Sequence, residues 1–393
     1  MIFNKKTYKL TDPGIIGKVL LIIGIVGTAL SLVGYFLDPK QFFHSYLSAF
    51  VYWITIGLGG LFFTMLHHLT NAKWSIVLRR ISESIMITLP FMAVFAIPIF
   101  FGLNELYHWS IPEVMAEDHL LQKKSGYLND SFFVIRIAVY FLIWSISSYS
   151  LYRVSIREDN AYSEAITKSF RKISAAGMIL FAFTITYFSF DLLMSLDAHW
   201  YSTIFGVYVF SGTLLTFLAF LTVFCLFLHG KGVLKDIITL EHYHDLARLT
   251  FAFVVFWAYI AFSQYFLIWY GNIPEESVWY LHRWEGTWKV LGFTIIFGYF
   301  ILPFLLLMTR AFKRNQQLLK FLGIWLLVMH YVDIYWLVMP SIHEHSVHVS
   351  WIDLAALFGL GGFFLFFLWI RLSSQALVPV NDPRLDESMK FMN

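Results

Sequence analysis

Few side chains in this 393-residue chain can do chemistry, and most of them interrupt long apolar runs. Arg136, Asp191, Gln264 and Asp333 each sit within such a run, and His330 lies one helical turn before Asp333. An ionisable group in hydrocarbon is costly unless paired or wet, so these positions are functional candidates by default. Arginine keeps its proton, so Arg136 needs a carboxylate or water. Asp191, on the next run, is its nearest candidate partner. His330 and Asp333 make a second pair, of the kind that passes protons or orients an imidazole. Asp197 and His199 lie two apart in a short aromatic turn. They read either as an acid–base pair at a pocket mouth or as an interfacial belt with a capping Asp before the next helix. At the other ends of the runs stand His67, His68 and Glu83, and the stretch Glu241-His242-Tyr243-His244-Asp245. Each alone suits a hydrated interface. Together, His67, His68, Glu83, His242, His244 and Asp245 mark the mouth of a proton path. His343, Glu344, His345 and His348 are too loosely spaced for a metal site, and none is expected.

The elements that must position these groups follow from composition. The chain is 59% hydrophobic and 13% charged, which excludes a water-soluble enzyme. The 42 Phe, 21 Tyr and 14 Trp exclude disorder. The single Cys225 excludes disulfides, iron–sulfur clusters and Cys-rich zinc sites built from this chain alone. A net charge of +3 gives no reason to expect nucleic acid.

Ten runs are long enough to cross a bilayer: 15–36, 46–69, 76–102, 131–152, 173–193, 203–228, 246–270, 288–308, 318–338 and 352–370. Barrel-type alternation is absent. The expected fold is an all-α polytopic membrane protein, one integral domain over 1–393, with two four-helix bundles plus peripheral helices. Of the 28 Lys and Arg, 21 fall in the termini and the connections on one face and five on the other, which puts both termini in the cytoplasm. The even number of spans agrees. The first run is too long for a cleavable signal and is expected to be retained. This orientation places Arg136, Asp191, Gln264 and Asp333 in the outer third of the bilayer. The connection 103–130 is an acidic outer loop, either simply solvated or a docking surface. Residues 44–193 and 202–338 suggest a pseudo-repeat without residue-level similarity. Trp279, Tyr280, Trp284 and Trp288 read as an interfacial belt, and Phe363, Phe364, Phe366 and Phe367 as lipid-facing; neither set reads as a cofactor site. His330 is the only His well inside a run, which disfavours haem b.

Two stretches, FDLLMSLDAHWYSTIFG at 190–206 and QYFLIWYGNIPEE at 264–276, the latter following His244-Asp245-Leu246, carry a resemblance over nearly the whole chain. They resemble the ActF-type membrane subunits of bacterial alternative complex III, which are similar to the polysulfide-reductase (NrfD-like) membrane subunits. The resemblance implies a quinol:electron-acceptor oxidoreductase of the bacterial inner membrane. The motif positions it singles out are Asp191, Asp197, His199 and Gln264. It implies a menaquinone or ubiquinone near the outer face and no covalently bound cofactor in this chain. Haem c and iron–sulfur clusters are expected only in partners: an iron–sulfur protein, multihaem cytochrome c subunits, a sister ten-span NrfD-like chain, and a terminal oxidase downstream. A quinone pocket or proton path would then be lined by Arg136, Asp191, Asp197, His199, Gln264, His330 and Asp333. Two other functions fit the composition: a stand-alone secondary transporter, for which paired Gly/Pro breaks at midplane are not evident although Pro90, Pro98 and Pro303 could kink helices, and a structural scaffold of the complex.

Overall fold

A computed structural model describes residues 2–4 and 6–392; Lys5, one of the amino-terminal cations, lies outside the described residues. Ten helices among the described residues are long and apolar enough to cross a membrane, and the protein is a predominantly helical multi-pass membrane protein. In order the spans are Ile16–Leu37, Pro39–Thr70, Ile76–Phe101, Asp130–Glu158, Glu164–Leu196, Phe205–Gly230, Leu240–Gly271, Trp288–Met308, Gln316–Ser341 and Trp351–Ser374. A short hairpin precedes them, β1 (Ile2–Asn4) and β2 (Lys9–Asp12), which the apolar pattern did not foretell.

Several helices outrun the apolar runs, because capping chemistry rather than hydropathy sets their ends. The second span starts at Pro39, where the Asp38 side chain accepts from the Gln41 N–H at 3.0 Å. The fourth starts at Asp130, with Asn129 accepting from Phe132 N at 2.9 Å. The seventh starts at Leu240, six residues before its apolar run, where Thr239 and His242 form a capping box.

The second and sixth spans form the centre, each 83% buried across its apolar window, and they pack on each other. Around the second lie the third, fourth and fifth; around the sixth lie the seventh and ninth, with the eighth packed on those two. The first and tenth spans form a peripheral pair, and the tenth packs on the second. Glycine makes that pair: a Cβ on Gly27 would lie 2.4 Å from the backbone nitrogen of Gly359, so the two backbones touch only because neither residue has a side chain. The phenylalanines of the tenth span do not all face lipid. Phe364 is fully buried, tilted against Trp53 at 5.2 Å, and Phe367 stacks on Phe91 at 4.2 Å. One helix face meets a neighbouring span, and hydropathy alone could not distinguish that contact from lipid.

Two spans are broken near Pro90 and Pro303, two of the three prolines that the sequence marks as able to kink helices. The third is two helices, Ile76–Met86 and Leu89–Phe101, parted at Ile87–Thr88 just before Pro90, which cannot donate into the ladder. The eighth passes through a π-helical turn at Ile296–Ile301 ahead of Pro303. The Trp325 indole donates to the Gly298 carbonyl in that turn at 2.7 Å. The connection 103–130 is not an open loop: it folds into short helices, including Pro112–Glu117 and His119–Lys124, the second capped by Asp118.

The segment after the tenth span straps the basic face. Leu377 N donates to Tyr8 O, Lys73 pairs with Glu387, and Ser388 Oγ donates to Trp74 O. Both terminal segments therefore lie on one face, as an even number of spans requires.

Candidate functional site

The ends of the sixth to ninth spans opposite the basic face enclose an apolar cavity of about 460 Å³, within the size range of small-molecule pockets. Its walls come from the sixth, seventh and ninth spans, the helix Pro274–Arg283, and the π-helical turn of the eighth. The wall residues Phe262 and Ile296 are exposed on the membrane-facing surface, so the cavity meets hydrocarbon between the seventh and eighth spans.

Polar groups gather at one end. Gln264 donates from Nε2 to the Tyr280 hydroxyl at 3.1 Å, and its Oε1 accepts from Ser202 Oγ at 3.1 Å. Trp200 stacks on Trp279 with centroids 4.3 Å apart. The two stretches 190–206 and 264–276 thus meet through the Ser202–Gln264 bond, beside the cavity that Gln264 and Tyr265 line. Deeper in, the Tyr208 hydroxyl lines the wall and donates to Asp333 just behind it. Asp333 is 2% exposed. The Trp257 indole lies beside it without meeting hydrogen-bond geometry.

Arg283 closes the polar end. It is 7% exposed and donates only to backbone carbonyls: Nε to Trp336 O (3.3 Å), Nη1 to Trp279 O (3.0 Å) and Nη2 to Leu337 O (3.0 Å). Trp336 and Leu337 are in the last turn of their helix, where carbonyls lack intrahelical partners. The guanidinium also lies 3.6 Å from the Trp279 ring. No acidic side chain among the described residues pairs with it. Burial pulls its pKa down to about 9, with distant Asp197 only partly opposing.

The four outer polar positions do not converge; they divide into two clusters. In the first bundle Arg136 grips Asp191 through Nε (3.2 and 3.0 Å) and Nη2 (2.9 Å), as their neighbouring runs suggested. Tyr140 donates to the same carboxylate at 2.8 Å, and Arg136 Nη1 donates to Tyr127 O at 2.7 Å. Asp191 is fully buried, and every Arg136 nitrogen donates. This cluster is a closed clamp between the fourth and fifth spans.

His330 and Asp333 do not pair, contrary to expectation. They lie on neighbouring faces, and the His330 ring turns to Thr55 Oγ1 (3.1 Å) and the Tyr299 hydroxyl (3.2 Å), while Asp333 takes Tyr208. Asp197 and His199 also fail to pair. His199 reaches instead to Asp118 in the 103–130 connection at 2.5 Å, and the Asp118 carboxyl is held below the usual range, first by the Leu121 N–H and also by His199. Half-buried Asp197 accepts at its backbone carbonyl from Trp200 N–H.

On the basic face the suggested proton-path residues separate. Glu83 is buried in a charge network: Arg79 at 3.3 Å, Arg80 at 3.2 Å, and Ser155 donating at 2.5 Å. Arg79 also pairs with Glu158 and, at 2.7 Å, with Asp382. His68 stacks on Phe170 at 4.1 Å, and His67 bonds the Phe63 carbonyl at 2.7 Å. His242 belongs to the capping box and reaches Ser388 O at 3.1 Å; Asp245 pairs with Arg248 at 3.2 Å. His244 Nδ1 has no hydrogen-bond partner. Of this set His67 and Asp245 line a cavity of about 400 Å³, and His67 and His68 a narrow one of about 10 Å³.

Among the described residues no group of three His, Cys, Asp or Glu is arranged to hold a metal ion. His343 bonds Gln41 Oε1 at 2.8 Å, and Gln41 and Ser45 both donate to Asp353. That buried cluster was not anticipated, although the Ser350-x-x-Asp353 capping spacing is visible in the sequence. Tyr208, Tyr280, Arg283 and Trp336 were missed as site residues. Tyr280 and Trp284 were read as an interfacial belt and prove to line the cavity. No family model matches this sequence, and no curated protein matches it.

Proposed function

We propose that this chain is an integral membrane subunit of a quinol:electron-acceptor oxidoreductase of the alternative complex III type, in a bacterial inner membrane. In this reading the cavity at the outer ends of the sixth to ninth spans takes the head of a quinol or quinone. The observation that carries the proposal is the meeting of the two motif stretches, 190–206 and 264–276, through the Ser202–Gln264 bond beside one membrane-facing cavity that Gln264 and Tyr265 line. A lipid-soluble substrate can enter from hydrocarbon between the seventh and eighth spans, and its polar head meets polar groups at one end only.

Quinol oxidation releases two protons with two electrons, and the electrons leave to iron–sulfur and haem centres of partner subunits. This chain's own residues would handle a proton and the orientation of the head. Gln264 Nε2 and the Tyr280 hydroxyl would hold a head oxygen. The Asp333 carboxylate would accept a proton through the Tyr208 hydroxyl that already donates to it. The Arg136–Asp191 clamp would serve as a structural tie, since its groups are all engaged with one another.

The test is mild detergent purification through a tag on this chain, followed by an optical spectrum and subunit masses. Co-purifying c-type haem, a large iron–sulfur protein and a second ten-span chain is the expected result. A colourless, monodisperse single chain would overturn the reading. The broken third and eighth spans give the transporter alternative its specific support, and substrate-dependent uptake by that single chain in liposomes would establish it.

A further inference from the structure

Arg283 stands out from the other buried guanidiniums described here. Arg79, Arg80 and Arg136 each face carboxylates. Arg283 faces three carbonyls and two indole rings. Those carbonyls each take one N–H, which leaves two of the five guanidinium N–H groups. Carbonyl dipoles at a helix end offset only a fraction of a unit charge. The remainder is a buried positive charge on the wall of an otherwise apolar cavity. Lys289, exposed at the start of the eighth span, adds a second cation to that wall, and among the described residues no carboxylate lines it.

We propose that Arg283 makes this cavity selective for an amphiphile whose head carries an ionised oxygen and whose tail is apolar. The ionised oxygen would take the free guanidinium N–H groups, with Lys289 at the rim and Gln264 and Tyr280 beside it. The tail would leave along Phe262 and Ile296 into hydrocarbon. The inference rests on the cavity being a substrate site and adds the charge state of what it prefers. Two sources share this chemistry: the ionised form of an acidic quinone or quinol, and an anionic phospholipid.

The experiment measures equilibrium binding to the purified protein, or to its complex, in nanodiscs of zwitterionic lipid. The probes are a 2-hydroxy-3-alkyl-1,4-naphthoquinone, used above its ionisation pH, and the neutral 2-methyl analogue with the same tail. Wild type is expected to bind the anion about tenfold to a hundredfold tighter than the neutral probe, the range for a hydrogen bond to a charged group. R283Q should bring that ratio to about one, whereas R283K should keep most of it. Because R283Q also uncaps the ninth span, the wild-type ratio stands as a test without any variant. A wild-type ratio of one or less overturns the proposal. Binding of neither probe overturns the cavity reading itself, which is a distinguishable failure. Displacement of the anionic probe by phosphatidylglycerol, but not by phosphatidylcholine, supports the anionic head and assigns the phospholipid as its source.

Discussion

Replacing Asp191 with Asn tests the closed clamp between the fourth and fifth spans. The substitution keeps the shape and leaves Tyr140 an oxygen to donate to. It removes the only carboxylate among the described residues that pairs with Arg136, which is 7% exposed and cannot lose its proton. Breaking a buried pair from one side costs about 3–5 kcal/mol. An arginine at the centre of a span costs about 2.5–3.5 kcal/mol on the insertion scale, an upper bound for Arg136, which lies six residues into a helix that starts at Asp130. Tyr127 O and the Tyr127 and Phe132 rings remain, so the lower end of the range, about 3 kcal/mol, is expected. The double variant R136Q/D191N removes both charges and should be more stable than D191N alone. The assay is a thermal ramp in detergent with a thiol-reactive dye. Cys225 is the chain's single thiol and is fully buried, so labelling reports unfolding. If D191N unfolds at the wild-type temperature, or the double variant is the least stable of the three, the clamp argument is wrong.

D333N should lower quinol:acceptor turnover of the intact complex by about a hundredfold, the lower end for loss of a general base. Binding of the neutral naphthoquinone should be unchanged; unaltered turnover would remove Asp333 from the proton route. G27A forces a Cβ into the Gly359 backbone and should cost about 1–3 kcal/mol, read in the same dye assay; an unchanged unfolding temperature would contradict the close contact. Burial alone would raise the Asp382 carboxyl, but hydrogen bonds from Arg384 and the charge of Arg79 outweigh it and hold it below the usual value. A depressed carboxyl contributes stability that is full above the unfolded pKa, about 3.9, and is lost as pH falls through the lower folded value. The strap should therefore stay protease-resistant from neutral pH down to about 4 and loosen only in stronger acid, while D382N loosens it at pH 7; equal protection of the two proteins at pH 7 would refute this.

The spans were legible because hydrocarbon demands long apolar runs, and the Arg136–Asp191 tie because sequential spans are antiparallel neighbours. His330 and Asp333 were misjudged because a three-residue spacing fixes a shared side of a helix, not the direction of a ring. Asp197 and His199 were misjudged for the same reason: closeness in sequence did not outweigh Asp118, 81 positions away. The cavity was hidden. Tyr208, Trp257 and Trp336 look like any membrane aromatic, and Arg283 looked like a loop cation. One signal was available: Trp279 and Arg283 are one turn apart, and an arginine among several tryptophans at an interface suggests a ring-held cation. The strap could not be foreseen, since a short polar tail carries no periodicity.

The pairing of the first and tenth spans has a consequence for how the chain is built. The first span is only 22% buried, and its principal neighbour is the tenth. During synthesis it must wait in lipid, with Gly24 and Gly27 uncovered, while more than three hundred residues are made. Only then do Gly359 and Gly362 arrive to seat against it, and the segment that follows ties down the loops laid down earlier. Membrane insertion and tertiary closure are therefore separate events in time, and a chain truncated before the tenth span would be inserted yet open along one side.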